Sequence, residues 1–327
     1  MQGYKPLLDL FTRHLDDYSA KLNAARPTQL YQPGAYILTL GGKRVRPLLA
    51  LIAADLLSGN PKKALPSAMA VELFHNFSLI HDDILDNAPK RRNKATVHTK
   101  WSTNIAILSG DILLVKAMQA LNMHTPSVEK KLSEIFLRTA AEVCEGQQMD
   151  MDFEKSKQVT VNDYIHMITL KTAVLLACSL QMGAISVNAS KSAQQDLYLF
   201  GKHLGIAFQL LDDYLDVYAE KKQGFGKQSG GDILANKKTF LLLRAFELAD
   251  PSTKKELQAA LHMTDNPKGK IKLVKAIYSK LGVDKLCLAE ADSHTQVALA
   301  GLNRIKTSPA KKEQLKQFAA QLLARKT

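Results

Sequence analysis

A long segment without proline is the feature that most restricts how this chain can fold. Proline occurs at Pro126 and next at Pro251, and the residues between them are rich in Ala, Leu, Lys, Gln and Glu. These residues favour helices, which proline would interrupt. Few windows alternate in polarity as a strand does. The sequence therefore predicts an all-α fold of long helices, in one domain over residues 1–327 although that length would allow two.

Local signals give the approximate limits of several helices. A helix is expected from about residue 4 to residue 24, another from Leu48 to Leu57 after a turn at Gly41 to Pro47, and a longer one from Pro66. Residues 87–98 are predicted to form a loop. Asn236 is expected to cap the helix that follows it.

The charge balance favours an anionic partner. Lys and Arg outnumber Asp and Glu by 44 to 31, giving a net charge of +13. Nucleic acid, a membrane surface and a phosphorylated small molecule all fit such an excess. No dense basic run is interleaved with aromatic residues, so no nucleic-acid partner is expected. The dispersed basic residues suit a pocket for a phosphorylated small molecule.

Cysteine usage and hydrophobic runs bear on the compartment. Cys144, Cys178 and Cys287 are far apart and form no C-x-x-C pair, as expected of thiols in a reducing compartment. The N-terminus lacks the apolar core of a signal peptide. The uncharged run from Thr172 to Ser190 contains polar residues, so a buried core helix is favoured over a membrane span. We expect a cytoplasmic protein without stable membrane insertion.

Two acidic clusters share one spacing. Asp82, Asp83 and Asp86 lie in L-I-H-D-D-I-L-D, and Asp212, Asp213 and Asp216 lie in L-L-D-D-Y-L-D. Residues i and i+4 share a helix face, so each cluster points two like charges the same way and destabilises an isolated helix. Both clusters are predicted at the C-terminal ends of apolar helices, where the helix dipole also disfavours anions. A solvated acidic face therefore explains them poorly.

A hard divalent cation would offset this repulsion. Mg²⁺ is usually held by one or two carboxylates together with water and substrate phosphates, and two such clusters facing one cavity would hold several ions and a diphosphate. No set of His and Cys accompanies the carboxylates, so zinc is not expected. Basic residues follow each cluster: Arg91 and Arg92 follow the first, and Lys227 and Lys237 follow the second. Lys171 stands in an apolar context. Each of these residues alone would also fit a solvated surface.

With these motifs, the sequence resembles the trans-isoprenyl diphosphate synthases, or polyprenyl synthetases, across nearly its whole length. The family's D-D-x-x-D with a loop ending in R-R is D-D-I-L-D-N-A-P-K-R-R here, and its F-Q-x-x-D-D-x-x-D is F-Q-L-L-D-D-Y-L-D. Its G-G-K-R-x-R-P is G-G-K-R-V-R-P. Its other motifs match Gln147 to Asp150, Lys171–Thr172, and Gly226–Lys227 to Asp232–Ile233. Asn93 stands where many relatives have glycine.

The resemblance implies a fold and a reaction. The fold would be a single polyprenyl synthetase domain, a bundle of long helices around a deep central cavity, assembled as a homodimer. The reaction would be head-to-tail condensation of isopentenyl diphosphate with an allylic diphosphate (dimethylallyl, geranyl or farnesyl). Mg²⁺, three ions per active site with Mn²⁺ as a substitute, would neutralise the leaving diphosphate. The released diphosphate would accept the proton lost after condensation.

The resemblance also implies roles for individual residues. Mg²⁺ would be held directly by Asp82, Asp83, Asp86 and Asp212. Two further aspartates, Asp213 and Asp216, would support the ions through water. The allylic diphosphate would contact Arg91, Lys171, Lys227, Lys237, Gln147 and Asp150. Isopentenyl diphosphate, which needs no metal, would contact Lys43, Arg46, His75 and Arg92. The oxygens of Thr172 and Gln209 would steady the cationic intermediate.

Residues upstream of Asp82 are expected to set product length. At about 100° per residue, Ser78 lies about 40°, Phe74 about 80° and Phe77 about 140° around the helix from Asp82. Geometry thus favours Ser78 and Phe74 as cavity lining, whereas the family habit favours Phe77; ordinary core packing is also open. An aromatic residue five positions before a motif without insertion resembles short-chain synthases, so we predict a C20 product, with C15 the close alternative.

Two other functions compete with this interpretation. A class I terpene cyclase would use the first aspartate motif but would not need Lys43, Arg46 and His75 for a second diphosphate. A non-catalytic subunit of a heteromeric synthase tends to lose one aspartate motif, and this chain keeps both. The synthase is therefore favoured.

Overall fold

The computed structural model describes residues 2–156, 158–219 and 230–324, where helices form nearly all of the regular structure. This confirms the all-α prediction. The helices are α1 (Lys5–Ala24), α2 (Thr28–Thr39), α3 (Val45–Ser58), α4 (Leu65–Leu85), α5 (Val97–Lys100), α6 (Thr103–Leu121), α7 (Pro126–Lys155), α8 (Val161–Ile168), α9 (Val174–Ser186), α10 (Lys191–Tyr218), α11 (Gly231–Leu234), α12 (Phe240–Leu248), α13 (Pro251–Leu261), α14 (Pro267–Leu281), α15 (Val283–Arg304) and α16 (Pro309–Leu323). A π-helical turn, Thr169–Ala173, joins α8 to α9.

Two local predictions were wrong in detail. Helix α3 begins at Val45 rather than Leu48, because the left-handed residue Arg44 (φ 47°) ends the preceding turn. Thr239, not Asn236, occupies the N-cap position of α12. Asn236 instead has a φ of 53° just after α11, a conformation that commonly ends a helix.

Residues 87–98, predicted as a loop, contain a small antiparallel hairpin. Strand β1 (Lys90–Arg91) pairs with β2 (Lys94–Ala95). Both turn residues, Arg92 and Asn93, have positive φ, 51° and 63°, as a type I′ turn requires. Asparagine tolerates this conformation, which explains how Asn93 can replace glycine. The pair R-N lacks the glycine that usually signals such a turn, so the hairpin was missed.

Contacts divide the chain into two compact units. The first comprises Met1–Ala140, Leu175–Tyr198 and Arg304–Leu315, and the second comprises Ala141–Val174, Leu199–Asn303 and Lys316–Thr327. A single-domain organisation stays a prediction.

The first unit has its core around α3 and α4. Helix α3 buries every residue from Pro47 to Ala54. Helix α9 approaches it closely at Gly183, where an added Cβ would lie 2.1 Å from the carbonyl oxygen of Ala50. The two aromatic residues of α4 that were assigned to product length, Phe74 and Phe77, are 1% and 9% exposed.

The second unit has its core around α8, α10, α12 and α14. Tyr164, Leu210, Phe240 and Tyr278 are among the buried side chains there. Because α10 carries Gln209 and the second aspartate cluster, and α8 leads directly into the turn that carries Lys171 and Thr172, this core helps to position those residues.

Among the residues that the structure describes, two helical stretches are long and apolar enough to cross a membrane. In the 18-residue apolar segment of Thr103–Leu121, 39% of the residues are buried inside the protein. In that of Val161–Ser186, 78% are buried. The second stretch covers most of the uncharged run after Thr172. Its burial is that of a core helix, as predicted.

Candidate active site

The first aspartate motif lies where α4 ends. Asp83 is 2% exposed, and Arg91 on β1 donates from Nε to both of its carboxylate oxygens at 3.0 and 2.9 Å. The Nη2 atom of Arg91 lies 2.8 Å from Oδ1 of Asp83. Asp82 is partly exposed, and Asp86, the C-terminal cap of α4, is exposed. The i, i+4 pair is therefore accessible, while the buried middle carboxylate holds the hairpin.

The second motif, on α10, is built in the same way. Asp213 is 4% exposed. The Tyr164 hydroxyl donates to its Oδ2 at 2.6 Å, and Gln209 Nε2 donates to its Oδ1 at 2.8 Å. Asp212 and Asp216 are partly exposed. Each motif thus has a buried, anchored middle aspartate between two more accessible ones.

The segment after residue 229 contributes to the second motif. The backbone N–H of Asp232 donates to Asp216 Oδ2 at 2.8 Å. Burial raises the pKa of Asp213 to about 7, while the nearby Lys237 ammonium opposes that rise. Lys237 itself is exposed. Lys227, also assigned to the diphosphate, lies outside the described residues.

The π-helical turn carries Lys171 and Thr172. The Lys171 ammonium donates to Asp150 Oδ2 at 2.6 Å. The Thr172 hydroxyl donates to Gln209 Oε1 at 3.2 Å, which links it through Gln209 to Asp213. Such turns occur often at functional sites, and this one groups four residues that the sequence had assigned to the site.

Glycines on two helices make room for this turn. A Cβ on Gly146 of α7 would lie 2.3 Å from the backbone nitrogen of Lys171, and a Cβ on Gly205 of α10 would lie 2.6 Å from Cα of Ala173. Both distances are shorter than any ordinary contact with backbone atoms. The backbone of the turn therefore packs directly against both helices.

A cationic cluster occupies the first unit near the G-G-K-R-V-R-P motif. Arg46 Nη1 lies 3.2 Å from Nε2 of His75. Burial lowers the pKa of His75 well below its usual value, and Arg46 and Arg92 lower it further. His75 is therefore neutral and accepts the Arg46 hydrogen bond through Nε2. Burial also lowers the pKa of Arg46 to about 10, and Arg46 Nε has no hydrogen-bond partner among the described residues.

The loop before α3 closes against the hairpin. The Arg92 guanidinium donates to the carbonyl oxygen of Gly41. Gly42 has a φ of 125°, and a Cβ there would lie 2.7 Å from Arg92 Nη1. The positive φ favours glycine here, whereas the contact itself is with the mobile end of a long side chain. Lys43, next in the chain, is exposed, so Lys43, Arg46, His75 and Arg92 all lie around this loop.

The donor groups of the two motifs suit a hard cation. Mg²⁺ prefers carboxylate oxygens and takes only one or two of them when a phosphate completes its coordination. Within the described ranges no three His, Cys, Asp or Glu side chains are grouped so that they could hold a metal ion by themselves. The Oε1 atom of Gln147 is buried, and no described group hydrogen-bonds to it. The carboxylate oxygens of each motif, taken by itself, therefore fit Mg²⁺ whose coordination a diphosphate completes.

Aromatic rings surround the residues assigned to product length. The Phe74 ring centroid lies 5.5 Å from that of Phe77 and 5.5 Å from that of Phe136 on α7. Phe77 also packs edge-on against His81, at 4.7 Å. Ser78 is partly exposed, and its hydroxyl donates to the His75 carbonyl. Sequence reasoning missed Phe136, because no spacing relative to the aspartates marks it.

Tyr164 is a second residue that the sequence did not single out. We expect Tyr164→Phe to lower the free energy of unfolding by about 1–3 kcal/mol, because buried Asp213 loses a donor. The value of kcat should fall about 10-fold as Asp213 and Gln209 lose their fixed orientation. Urea denaturation and steady-state kinetics check both values. Tyr278→Phe, in the same core, should leave kcat unchanged; equal kcat losses in the two variants would contradict a specific role.

Comparisons with known proteins agree with these features. The polyprenyl synthetase family profile matches residues 27–281. The geranylgeranyl diphosphate synthase of Methanosarcina mazei is 41% identical over 228 residues, 69% of this chain and 70% of the relative. That of Saccharolobus solfataricus is 36% identical over 296 residues, 89% of each chain. A crystal structure of a geranylgeranyl pyrophosphate synthase has a TM-score of 0.93 at 43% identity, covering 99% of each chain.

The family match spans most of the chain, and the structural match spans nearly all of it. Both therefore cover the two aspartate motifs, the loop before α3 and the π-helical turn. The fold is the all-α isoprenoid synthase fold, as the sequence predicted. The chain belongs to the polyprenyl synthetase family of prenyltransferases.

Proposed function

We propose that the protein condenses isopentenyl diphosphate head-to-tail with an allylic diphosphate and forms C20 geranylgeranyl diphosphate. The observation that carries this proposal is the shared construction of the two aspartate motifs, each with an accessible outer pair. Relatives with geranylgeranyl diphosphate synthase activity in their names support the C20 product. C15 farnesyl diphosphate is the alternative. A terpene cyclase would leave the cluster around Arg46 without a role, and a non-catalytic subunit would not need both motifs.

The aspartates would act on the allylic diphosphate. Three Mg²⁺, with Mn²⁺ as a substitute, would neutralise the leaving diphosphate and polarise its ester bond. The accessible aspartates suit direct ligation, with Asp216 replacing the buried Asp83 in the set that the resemblance implies: Asp82, Asp86, Asp212 and Asp216. The oxygens of Asp83 and Asp213 already accept hydrogen bonds from other side chains of the protein. These two residues would therefore hold their motifs in place.

Cationic and polar side chains would complete the site. Those assigned to the allylic diphosphate are Arg91, Lys171, Lys227, Lys237, Gln147 and Asp150. Because Asp150 holds the Lys171 ammonium at 2.6 Å, that charge is oriented before substrate arrives. Isopentenyl diphosphate would bind Lys43, Arg46, His75 and Arg92 without metal. The oxygens of Thr172 and Gln209 would face the allylic cation, and the released diphosphate would take the proton.

Product analysis tests the reaction. The protein is incubated with isopentenyl diphosphate and each allylic primer from C5 to C15, with Mg²⁺ or with EDTA, and the products are sized. We expect Mg²⁺-dependent elongation that ends at C20. A product that stops at C15 would identify a farnesyl diphosphate synthase, and no elongation from any primer would refute the proposal.

Truncating the aromatic residues upstream of Asp82 should lengthen the product. Phe77→Ala or Phe74→Ala removes a ring next to the predicted hydrocarbon path, so we expect products longer than C20 from at least one variant, measured by the same sizing assay. Phe11→Ala is the control, since Phe11 is a fully buried ring on α1 of the same unit. It should lose stability by a similar amount but keep the C20 product. If both α4 variants also stop at C20, the floor lies elsewhere.

We further propose that the protein is a cytoplasmic homodimer. Helix α6 has an exposed apolar stripe, with Ile107, Leu108 and Val115 at 40%, 58% and 48% exposure. A second copy covering this stripe would remove apolar surface from water. The proposal also rests on the family resemblance, which implies a dimer.

A further inference from the structure

Glu72 is a buried carboxylate to which the proposed mechanism gives no role. It stands in the apolar run A-V-E-L-F of α4 and is 2% exposed. Its Oε1 accepts hydrogen bonds from Arg44 Nη1 and, at 3.0 Å, from Asn76 Nδ2. A buried charge of this kind is costly unless it is paired. The Glu72–Arg44 ion pair therefore calls for a structural or functional explanation.

Arg44 connects Glu72 to the loop before α3. Its Nη2 donates to the carbonyl oxygen of Leu38 in the last turn of α2, while Nη1 bonds to Glu72 on α4. Gly41, Gly42 and Arg44 all have positive φ, a conformation that needs support from surrounding structure when a residue other than glycine adopts it. The Arg44 guanidinium supplies that support by joining α2 to α4.

This loop and the first turn of α3 carry two of the cations assigned to isopentenyl diphosphate. Lys43 precedes Arg44, and Arg46 follows it by two residues. Glu72 and His75 are three residues apart and share a face of α4. Arg44 bonds to the first and Arg46 to the second. The chain is thus attached to α4 at residues 44 and 46, directly after Lys43.

Charge balance points the same way. Arg44, Arg91 and Arg92 lie close enough to His75 to lower its pKa. Glu72 has the opposite influence, because its carboxylate favours the charged forms of both Arg46 and Arg92. A binding site for an anion without metal needs such a concentration of positive charge. In the free protein these guanidinium groups repel one another, so a nearby anion is needed to offset the repulsion. That anion must leave the groups that bind the substrate free to do so.

We propose that Glu72, through its ion pair with Arg44, is a positioning residue for isopentenyl diphosphate. It fixes the turn at residues 41–44 so that Lys43 and Arg46 face the diphosphate, and it allows several guanidinium groups to gather there before the substrate binds. The inference rests on the proposed function, which assigns Lys43, Arg46, His75 and Arg92 to that substrate. Glu72 touches no substrate itself.

The test compares Glu72→Gln and Glu72→Asp in the intact protein. The KM for isopentenyl diphosphate and that for the allylic diphosphate are measured separately, and the Kd for isopentenyl diphosphate is measured by calorimetry in EDTA. For Glu72→Gln, we expect KM and Kd for isopentenyl diphosphate to rise about 10-fold or more. The allylic KM should stay within about twofold. Glu72→Asp, which keeps the charge, should recover most of the affinity.

Asp196→Asn is the matched control. Asp196 is another largely buried carboxylate of the first unit, paired with Arg304 at 2.7 Å and distant in sequence from the loop. It should lose stability without changing either KM. If Glu72→Gln does not fold, Arg44→Lys keeps the charge but cannot bond to Glu72 and Leu38 with the same fork of donors, and it should give the same selective loss.

The outcomes separate the two hypotheses. A folded Glu72→Gln or Arg44→Lys protein with unchanged KM and Kd for isopentenyl diphosphate would overturn the positioning role. So would an equal rise of both KM values. If the wild-type protein elongates no primer, the proposed function fails whatever the variants do.

Discussion

Gly146→Ala is expected to inactivate the enzyme and to destabilise the second unit. The new Cβ would lie 2.3 Å from the backbone nitrogen of Lys171 and 2.8 Å from the carbonyl carbon of Leu170. Both are backbone atoms, so no change of side-chain rotamer relieves the clash. Overpacking of this kind usually costs about 1–3 kcal/mol of stability. A shift of about 1 Å at Lys171 and Thr172 would lower kcat about 100-fold.

Thermal unfolding and steady-state kinetics measure both effects. Gly3→Ala is the control, because nothing lies within 4 Å of its added Cβ, and it should match the wild type. A Gly146→Ala protein with wild-type melting temperature and kcat would show that the turn does not depend on this close approach.

Substitutions of the outer and the middle aspartate of the first motif are expected to have different effects on activity and stability. Asp82→Asn removes an accessible carboxylate, so kcat should fall at least about 100-fold. Its melting temperature should stay the same or rise slightly, because repulsion from Asp86 is relieved. Asp83→Asn leaves Arg91 without its bidentate partner. Breaking a buried pair in this way costs about 3 kcal/mol or more, so this variant should lose stability as well as activity.

Melting temperature, kcat and the Mg²⁺ concentration for half-maximal activity distinguish the two cases. Asp82→Asn should need more Mg²⁺, whereas Asp83→Asn should melt earlier. Asp9→Asn, at an exposed position on α1 paired with Lys5, should resemble the wild type in all three. Identical behaviour of Asp82→Asn and Asp83→Asn would refute the distinction between outer and middle aspartates.

Helical periodicity anticipated part of this arrangement. The i, i+4 rule identifies Asp82 and Asp86 as one face, and the structure leaves both accessible. The partner of Asp83 could not be found in that way, because Arg91 reaches it from a hairpin that lacks a glycine signal. The partner of Asp213 is Tyr164, 49 positions away in the chain. Tertiary partners at such separations leave no local pattern.

Some residues that were missed did leave a signal. Gly146 is a lone glycine in a 30-residue helix, and such a glycine often marks a close approach. Glu72 stands in an apolar run, as Lys171 does, and only Lys171 was singled out. The π-helical turn itself had no marker, because T-L-K-T-A contains neither proline nor glycine. Its formation depends on the space that glycines on α7 and α10 provide.

The π-helical turn also determines which length changes the protein can tolerate. It adds one residue to an otherwise continuous helical path from α8 to α9. Side chains after the turn are therefore about 100° out of phase with those before it. Deleting one residue would restore regular geometry but rotate every later side chain onto a different face. In members of the family that keep this turn, we therefore expect substitutions between α8 and α9 but no change in the number of residues. Insertions and deletions should occur at the ends of the helices instead.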